Sequence, residues 1–275
     1  MKRIELTTVC ALLIAFSPAF AGTVLELETT EYRGGQRLSG TVEISTRDGM
    51  SRVEVSAGDG SETSSIIFRN DKRELTALDH EQREYYVLDE ATIEQMGSRL
   101  SGAMQQMQDA LADLPPDQRA MAERMMKQRL PEAAAEPIRP PTTLHSTGNR
   151  DEASGYDCQW HEVHQQGRKI RDLCVTDWDN IEGGRDAADS MLSMAGFFED
   201  MAAAFSGSSG IDLFGGQKEM FRNMRELDGY PVVTREYDAS GKLESESRLV
   251  SSSTEDLDAD LFEPPQDYRR QKLGD

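Results

Sequence analysis

After its first residues the chain has no long hydrophobic run: no segment approaches the roughly 18 consecutive apolar residues of a membrane span, and mean hydropathy is −0.61. Positive charge is also short, with 30 Lys and Arg against 50 Asp and Glu and a net charge of −20. Proteins that bind nucleic acid gain most of their affinity by neutralising phosphates with clustered Lys and Arg. A surface of this sign repels phosphates, so nucleic acid is excluded as the main partner. Cysteine and histidine are scarce, at three and four, which leaves little material for nucleophiles or metal ligands. There is no nucleophile elbow, no glycine loop that could cradle a phosphate and no His-Glu metal helix. With so many acids, carboxylate pairs carry no information, and a lone serine without a partner base is not a nucleophile. The expectation is a protein that is not an enzyme and holds no cofactor.

What is present begins with an export pattern. Lys2 and Arg3 form a basic start, Val9 to Phe16 is an apolar core, and Ala19-Phe20-Ala21 has the small-x-small form of a signal-peptidase site. Cleavage is expected between Ala21 and Gly22, giving a periplasmic protein. Loss of Lys2, Arg3 and Glu5 then takes the net charge from −20 to −21. Cys10 lies inside this segment, and Thr7-Thr8-Val9 before it lacks the residues of a lipoprotein box, so no lipid anchor is expected.

From Thr23 to Asp89 the residues alternate with period 2 between turn signals at Gly34-Gly35, Asp48-Gly49, Gly58-Asp59-Gly60, Asn70-Asp71 and Asp79-His80. This predicts an antiparallel meander with Leu38, Gly40, Val42, Ile44, Val53 and Val55 on an apolar face and a wet face opposite. The spacing of Ile93, Met96, Leu100, Met104, Met107, Leu111 and Leu114 predicts a helix that Pro115-Pro116 ends, and a second is expected from about 117 to 130. Pro-rich residues 131–154 read as a linker and candidate hinge with one short strand near Thr142 to Ser146. Two hairpins are then predicted, Tyr156 to His164 with Lys169 to Asp177, and Tyr230 to Tyr237 with Lys242 to Ser251. Between them lie a helix from Asp186 to Phe205 and a shorter one around 217–227. The glycines Gly155 and Gly229 each precede a turn glycine, Gly167 and Gly241, by the same spacing, a weak internal echo.

Cys158 and Cys174 are the cysteines left after cleavage, and export places them where disulfides persist. If Gln165-Gln166-Gly167 forms a three-residue loop, Cys158 falls directly opposite Cys174 and a bridge is expected. Closing such a loop stabilises by about 3 kcal/mol in the chain-entropy model. A zinc site from Cys158, His161, His164 and Cys174 fails on a strand, where His161 points to the other face, and oxidised sulfurs do not ligate. Copper(I) at Met104-x-x-Met107 or Met191-x-x-Met194 competes with a plain packed stripe. Asp256-x-Asp258-x-Asp260 begins like a calcium loop, but Leu261 stands where glycine is needed. No metal is expected.

The order of elements and three phrases carry a resemblance: Ser154-Gly155-Tyr156-Asp157-Cys158, Asp228-Gly229-Tyr230-Pro231-Val232, and Asp260-Leu261-Phe262-Glu263-Pro264-Pro265-Gln266-Asp267-Tyr268. Together they resemble the LolA-like periplasmic lipoprotein-carrier superfamily, and more narrowly a branch of bacterial envelope proteins known as a domain of unknown function. The resemblance implies an α+β fold, an antiparallel meander sheet forming a half-open barrel covered by amphipathic helices, with an apolar cavity for acyl chains. The chain departs from the carriers in its longer helical middle, its cysteine hairpin and its acidity, and the carriers' transfer residues do not map onto it.

The domain reading is a signal peptide at 1–21, one domain at 22–265 and a polar tail at 266–275. Within the domain it places the meander at 22–89, a helical hairpin at 90–130, the linker at 131–154 and a hairpin-helices-hairpin unit at 155–265. Two functional readings follow. In the first, a lipid or acyl chain, free or on an acylated protein, lies between sheet and helices. Met96, Leu100, Met104, Met107, Met191, Met194, Phe198 and Met201 would line that site, since methionine adapts to irregular ligands. In the second, the same residues are packed core and the acidic surface binds an envelope protein partner, without a small-molecule ligand.

Overall fold

The computed structural model describes residues 21–58, 62–112, 114–115, 118–119, 141–209, 222–223 and 225–272. The expected signal peptide therefore lies outside the described residues except for Ala21, with which the first strand begins. The expected second helix, from about 117 to 130, also lies almost wholly outside them.

The meander forms as its alternation predicts. Strands β1 (Ala21–Arg33), β2 (Gln36–Arg47), β3 (Met50–Ala57), β4 (Glu62–Arg69), β5 (Glu74–Asp79) and β6 (Glu84–Asp89) pair in sequence, each antiparallel to the next. Helix α1 (Glu90–Ala112) follows, then β7 (Thr142–Ala153), β8 (Tyr156–Gln165), β9 (Arg168–Asp177), helix α2 (Gly184–Ser209), β10 (Gly229–Tyr237), β11 (Leu243–Asp256) and β12 (Arg269–Gln271). Four connections are two-residue loops: Gly34-Gly35, Asp48-Gly49, Ser154-Gly155 and Gln166-Gly167. Both residues of each have positive φ, the type I′ geometry whose twist matches that of paired strands.

The half-open barrel covered by helices is not what forms. The strands make one twelve-stranded sheet in the order β12-β6-β5-β4-β3-β2-β1-β11-β10-β9-β8-β7. This sheet is the dominant layer, and it ends in the separate edge strands β12 and β7 without closing. The reason lies at β1, which pairs with β2 on one side and with β11 on the other. The two halves of the chain are thereby joined edge to edge instead of being stacked. The linker reading fails where it can be compared, because the short strand expected near Thr142 to Ser146 runs on to Ala153 and pairs with β8; residues 131–140 lie outside the described residues. The polar tail is also incorporated: β12 runs parallel to β6, and Tyr268 Oη lies 2.7 Å from His80 Nδ1, whose Nε2 lies 2.8 Å from Ser65 Oγ.

Both faces of the meander carry a core. Row by row on the helix side stand Thr23, Thr46, Ser51 and Phe68, then Leu25, Ile44, Val53 and Ile66. Helix α2, about 39 Å long at 1.5 Å per residue, crosses the first row. Thr23 Oγ1 donates to the Gly183 carbonyl at 3.0 Å just before the helix, and Phe197 packs on Phe68 with ring centroids 5.6 Å apart. Met201 and Ile93 complete that cluster, so α1 and α2 cover one end of the apolar face. Farther along the strands Leu38, Val55 and Ile66 are exposed. The face predicted to be wet holds Ile67 and Leu78 packed against Leu257 and Phe262 of the C-terminal segment. Buried Arg47 and Arg52 donate to the Leu257 and Leu261 carbonyls and tie that segment down.

Helix α1 starts where Asp89 Oδ1 accepts from the Thr92 backbone N–H at 2.8 Å, an N-cap that satisfies one orphan donor. At the other end the Arg119 guanidinium donates to the Leu111 and Ala112 carbonyls at 2.9 and 2.5 Å, placing a cation where the helix dipole favours one.

Candidate ligand-binding site

The disulfide forms, but its register differs from expectation. The loop is the two-residue Gln166-Gly167 turn, and a bulge at Val163/His164 shifts the ladder, so Cys174 pairs with Trp160. The Cys158–Cys174 bridge therefore runs diagonally, with Cα atoms 5.3 Å apart, within the range a bridge spans. Both half-cystines are buried with Trp178, Tyr230 and Val232. The glycine echo does not repeat in the backbone. Gly155 holds a positive φ in a turn, whereas Gly229 lies in β10 with the Thr176 carbonyl 2.5 Å from where a Cβ would sit.

Among the concavities beside this buried cluster are a polar and an apolar one. The first is a polar cleft of about 380 Å³ beside Cys158, lined by Arg150, Asp151, Asp157, His161, Asp177 and Asp228 among others. Burial pushes the His161 imidazole below its usual pKa, and its Nδ1 has no hydrogen-bond partner among the described residues. With four aspartates against one arginine, the cleft is open and acidic. Among the described residues no three His, Cys, Asp or Glu side chains are grouped so as to hold a metal ion. Asp258, from the calcium-like run, instead caps a short 3₁₀ helix by accepting from the Asp260 N–H at 3.1 Å.

The second concavity is the candidate ligand site. Its volume is about 300 Å³, at the small end of ligand pockets, and its walls are largely apolar. Met191 and Met194 of α2 form one wall, Ile44, Val53 and Ser51 of β2 and β3 another, and Leu173, Tyr230 and Pro231 of β9 and β10 a third. Strands β3 and β9 are five apart in the sheet, so the sheet must bend for them to share a cavity. Asn223 and Leu227 line the remaining side. Leu227 faces both concavities, and Asn223 with Arg222 is anchored to Thr142 on β7, the Arg222 guanidinium donating to its carbonyl at 2.9 Å.

Charge in this cavity is internally matched. Arg171 reaches Glu236 at 2.5 Å, and both line the wall. Burial pushes the Tyr230 phenol far above its ordinary pKa, so it stays a neutral hydroxyl whose ring packs on Trp178 with centroids 5.3 Å apart.

Of the eight residues expected to line a site, Met191 and Met194 do. Met201 is 2% exposed in the core beside Phe68, and Met96 and Phe198 pack against the same cluster. Met107 is exposed. The side chains of Leu100 and Met104 lie outside the described residues. The stripe of a helix thus serves two ends: α2 meets solid core at Phe68 and open space near Tyr230. The strand contributors Ile44 and Val53 were visible in the alternation. Leu173, Tyr230 and Ser51 were not, because nothing local says that β9 and β10 curve toward β3.

The sequence profile of a family described as "Domain of unknown function (DUF4412)" matches residues 90–268, more than half of the chain. No curated protein matches it. Among solved structures it is similar to an uncharacterised conserved protein of Thermus thermophilus, with TM-score 0.44, 9% identity, and 93% of this chain and 91% of that one covered. It is also similar to the MucA/MucB complex of Pseudomonas aeruginosa, with TM-score 0.35, 10% identity and coverage of 91% and 58%. A DUF1329 family protein of Desulfovibrio piger follows at TM-score 0.22, 8% identity and coverage of 90% and 91%. At such scores the likeness is too distant to carry an argument about this chain.

Proposed function

The chain belongs to the DUF4412 family, and we propose that it is a non-catalytic, periplasmic binding protein that holds an apolar ligand, a lipid or acyl chain, between α2 and the sheet. The observation that carries this reading is the apolar cavity of about 300 Å³ walled by Met191 and Met194. A soluble domain closes such space with side chains unless something else fills it, because unfilled apolar volume is destabilising. Methionine walls suit a ligand of irregular shape, since three rotatable bonds and a polarizable sulfur let them repack. Among the described residues no helix is long and apolar enough to cross a membrane. The export pattern at the N-terminus and the Cys158–Cys174 bridge fit an oxidising compartment. The resemblance to LolA-like carriers in the Gly-Tyr-Pro-Val and Leu-Phe-Glu-Pro phrases points the same way, and a carrier would take its ligand from a membrane, an acylated protein or an envelope partner.

Native mass spectrometry of the protein purified from a periplasm tests the reading. The expected result is a chain two daltons lighter than its reduced form, with a lipid-sized adduct that Met194→Asp removes. A bare polypeptide mass in every preparation would refute it and favour a packed module that binds an envelope protein through its acidic surface.

A further inference from the structure

Two buried hydroxyls, one in the cavity wall and one directly behind it, are out of keeping with their surroundings. Thr46 on β2 and Ser51 on β3 are directly paired across the ladder, so both side chains leave the sheet on one face, the face that carries Ile44 and Val53. Ser51 lines the cavity. It is 2% exposed and Thr46 is 0% exposed. Thr46 Oγ1 and Ser51 Oγ are buried without a hydrogen-bond partner among the described residues. Thr23, next in the same row, shows the usual arrangement, its hydroxyl donating to a carbonyl. Native interiors seldom leave such groups unpaired, because each loses its water without compensation. Valine and alanine would pack the same wall without that cost, so packing does not account for the pair.

We infer that Ser51, with Thr46 paired beside it, forms the head-group subsite of this cavity and that its ligand is an uncharged amphiphile, an apolar body ending in a hydroxyl or carbonyl oxygen. The inference rests on the cavity reading above and specifies its ligand class. A cavity of about 300 Å³ holds roughly ten heavy atoms at about 30 Å³ each, the share of a water molecule in the liquid. A hydroxyl pair can donate to a carbonyl oxygen, or both donate to and accept from an alcohol. A charged head has no counter-charge to meet: Arg171 is engaged by Glu236, and Glu236 by Arg171 and by Ser245 Oγ at 3.2 Å. A carboxylate, phosphate or ammonium brought into this wall would lose its hydration without an ion partner.

The test is displacement of the apolar fluorophore N-phenyl-1-naphthylamine from the full chain by n-decane, 1-decanol and decanoate. It compares the wild type with a Thr46→Val/Ser51→Ala double variant. For the wild type, 1-decanol is expected to compete about tenfold better than n-decane, the worth of a single well-made hydrogen bond, with decanoate weakest. In the double variant the advantage of the alcohol disappears while n-decane is unchanged. The substitutions remove unpaired buried hydroxyls, so the variant should melt at or above the wild-type temperature, and a lost preference could not be put down to unfolding. If the fluorophore binds but alcohol and alkane compete equally in both proteins, the subsite is refuted and the cavity reading stands. If decanoate competes best, the uncharged class is wrong. If the fluorophore does not bind, the cavity reading falls and the subsite with it.

Discussion

Replacing both half-cystines, as Cys158→Ala/Cys174→Ala, should lower stability by about 3 to 5 kcal/mol without abolishing ligand binding. The bridge closes a loop with a sequence separation of 16, and the chain-entropy model assigns about 3 kcal/mol to a loop of that length. Structure adds to this figure, because the sulfurs are buried, Cys158 at 5% and Cys174 at 0% exposure, among Trp178, Tyr230 and Val232. Removing them leaves a small void whose cost adds to the lost cross-link. Urea unfolding followed by tryptophan fluorescence is the assay, since Trp178 sits in the same cluster. With a slope near the upper end of the usual range of about 1 to 3 kcal/mol per molar, the midpoint should fall by roughly 1 M or a little more. In thermal unfolding the same loss amounts to about 6 to 20 °C for a chain of this size. Reduced wild type separates the two contributions, since it loses the cross-link and keeps the sulfurs, and it should fall between the oxidised protein and the double variant. If reduced and oxidised wild type unfold at the same urea concentration, the bridge does not constrain the unfolded chain and the reasoning fails. If binding is lost while the urea midpoint is unchanged, the bridge has a role at the site that its buried position does not explain.

Three further outcomes follow from particular contacts. Gly183→Ala should destabilise by about 3 kcal/mol in the same urea assay, because φ is +68° there and the new Cβ would collide with the Thr23 side chain; an unchanged midpoint would show that the entry to α2 yields easily. Met194→Asp should abolish binding of N-phenyl-1-naphthylamine while costing less stability than a substitution in solid core, since Met194 faces the cavity; retained binding would put the ligand elsewhere. Asp89→Ala should cost about 1 kcal/mol at neutral pH, judged by comparing urea midpoints of variant and wild type across pH. Hydrogen bonding from Thr92 holds the Asp89 carboxyl below its ordinary pKa, so its contribution is present above the unfolded value of about 3.9 and fades as pH falls through the lower folded value. A gap between the proteins that persisted undiminished at pH 2 would mean that the cap does not depend on the carboxylate.

Much of the molecule was legible because its signals are local. Alternation in Arg37 to Ile44 and Arg52 to Ala57 predicted strands that form and pair, although the face expected to be wet also carries a core, and the Asp48-Gly49 and Gly34-Gly35 pairs marked turns whose positive φ values only such residues adopt readily. The helical stripe of Met191, Met194, Phe198 and Met201 was equally plain. Which of these would be core and which would line open space was not, because a stripe states that a face is buried and not what lies opposite it. The cysteine register was misread by two residues for a similar reason. A bulge at Val163/His164 leaves no mark in composition, yet it sets the pairing of everything beyond it.

By itself the sequence determined the acidic character, the disulfide partners, the positions of nearly all described strands and the absence of familiar catalytic motifs, each a property of residues a few positions apart. Tertiary structure alone decided that β1 would be shared between both halves, joining them in one twelve-stranded sheet. It decided too that the short strand expected near Thr142 to Ser146 would run on to Ala153, that Arg269–Gln271 of the C-terminal tail would be a strand, and that Ser51, Leu173 and Tyr230 would meet around one cavity. Those outcomes depend on pairings between residues as far apart as Leu27 and Leu249. Backbone hydrogen bonds are chemically alike along every strand edge, so the choice among edges is made by which side chains pack once the sheet has formed.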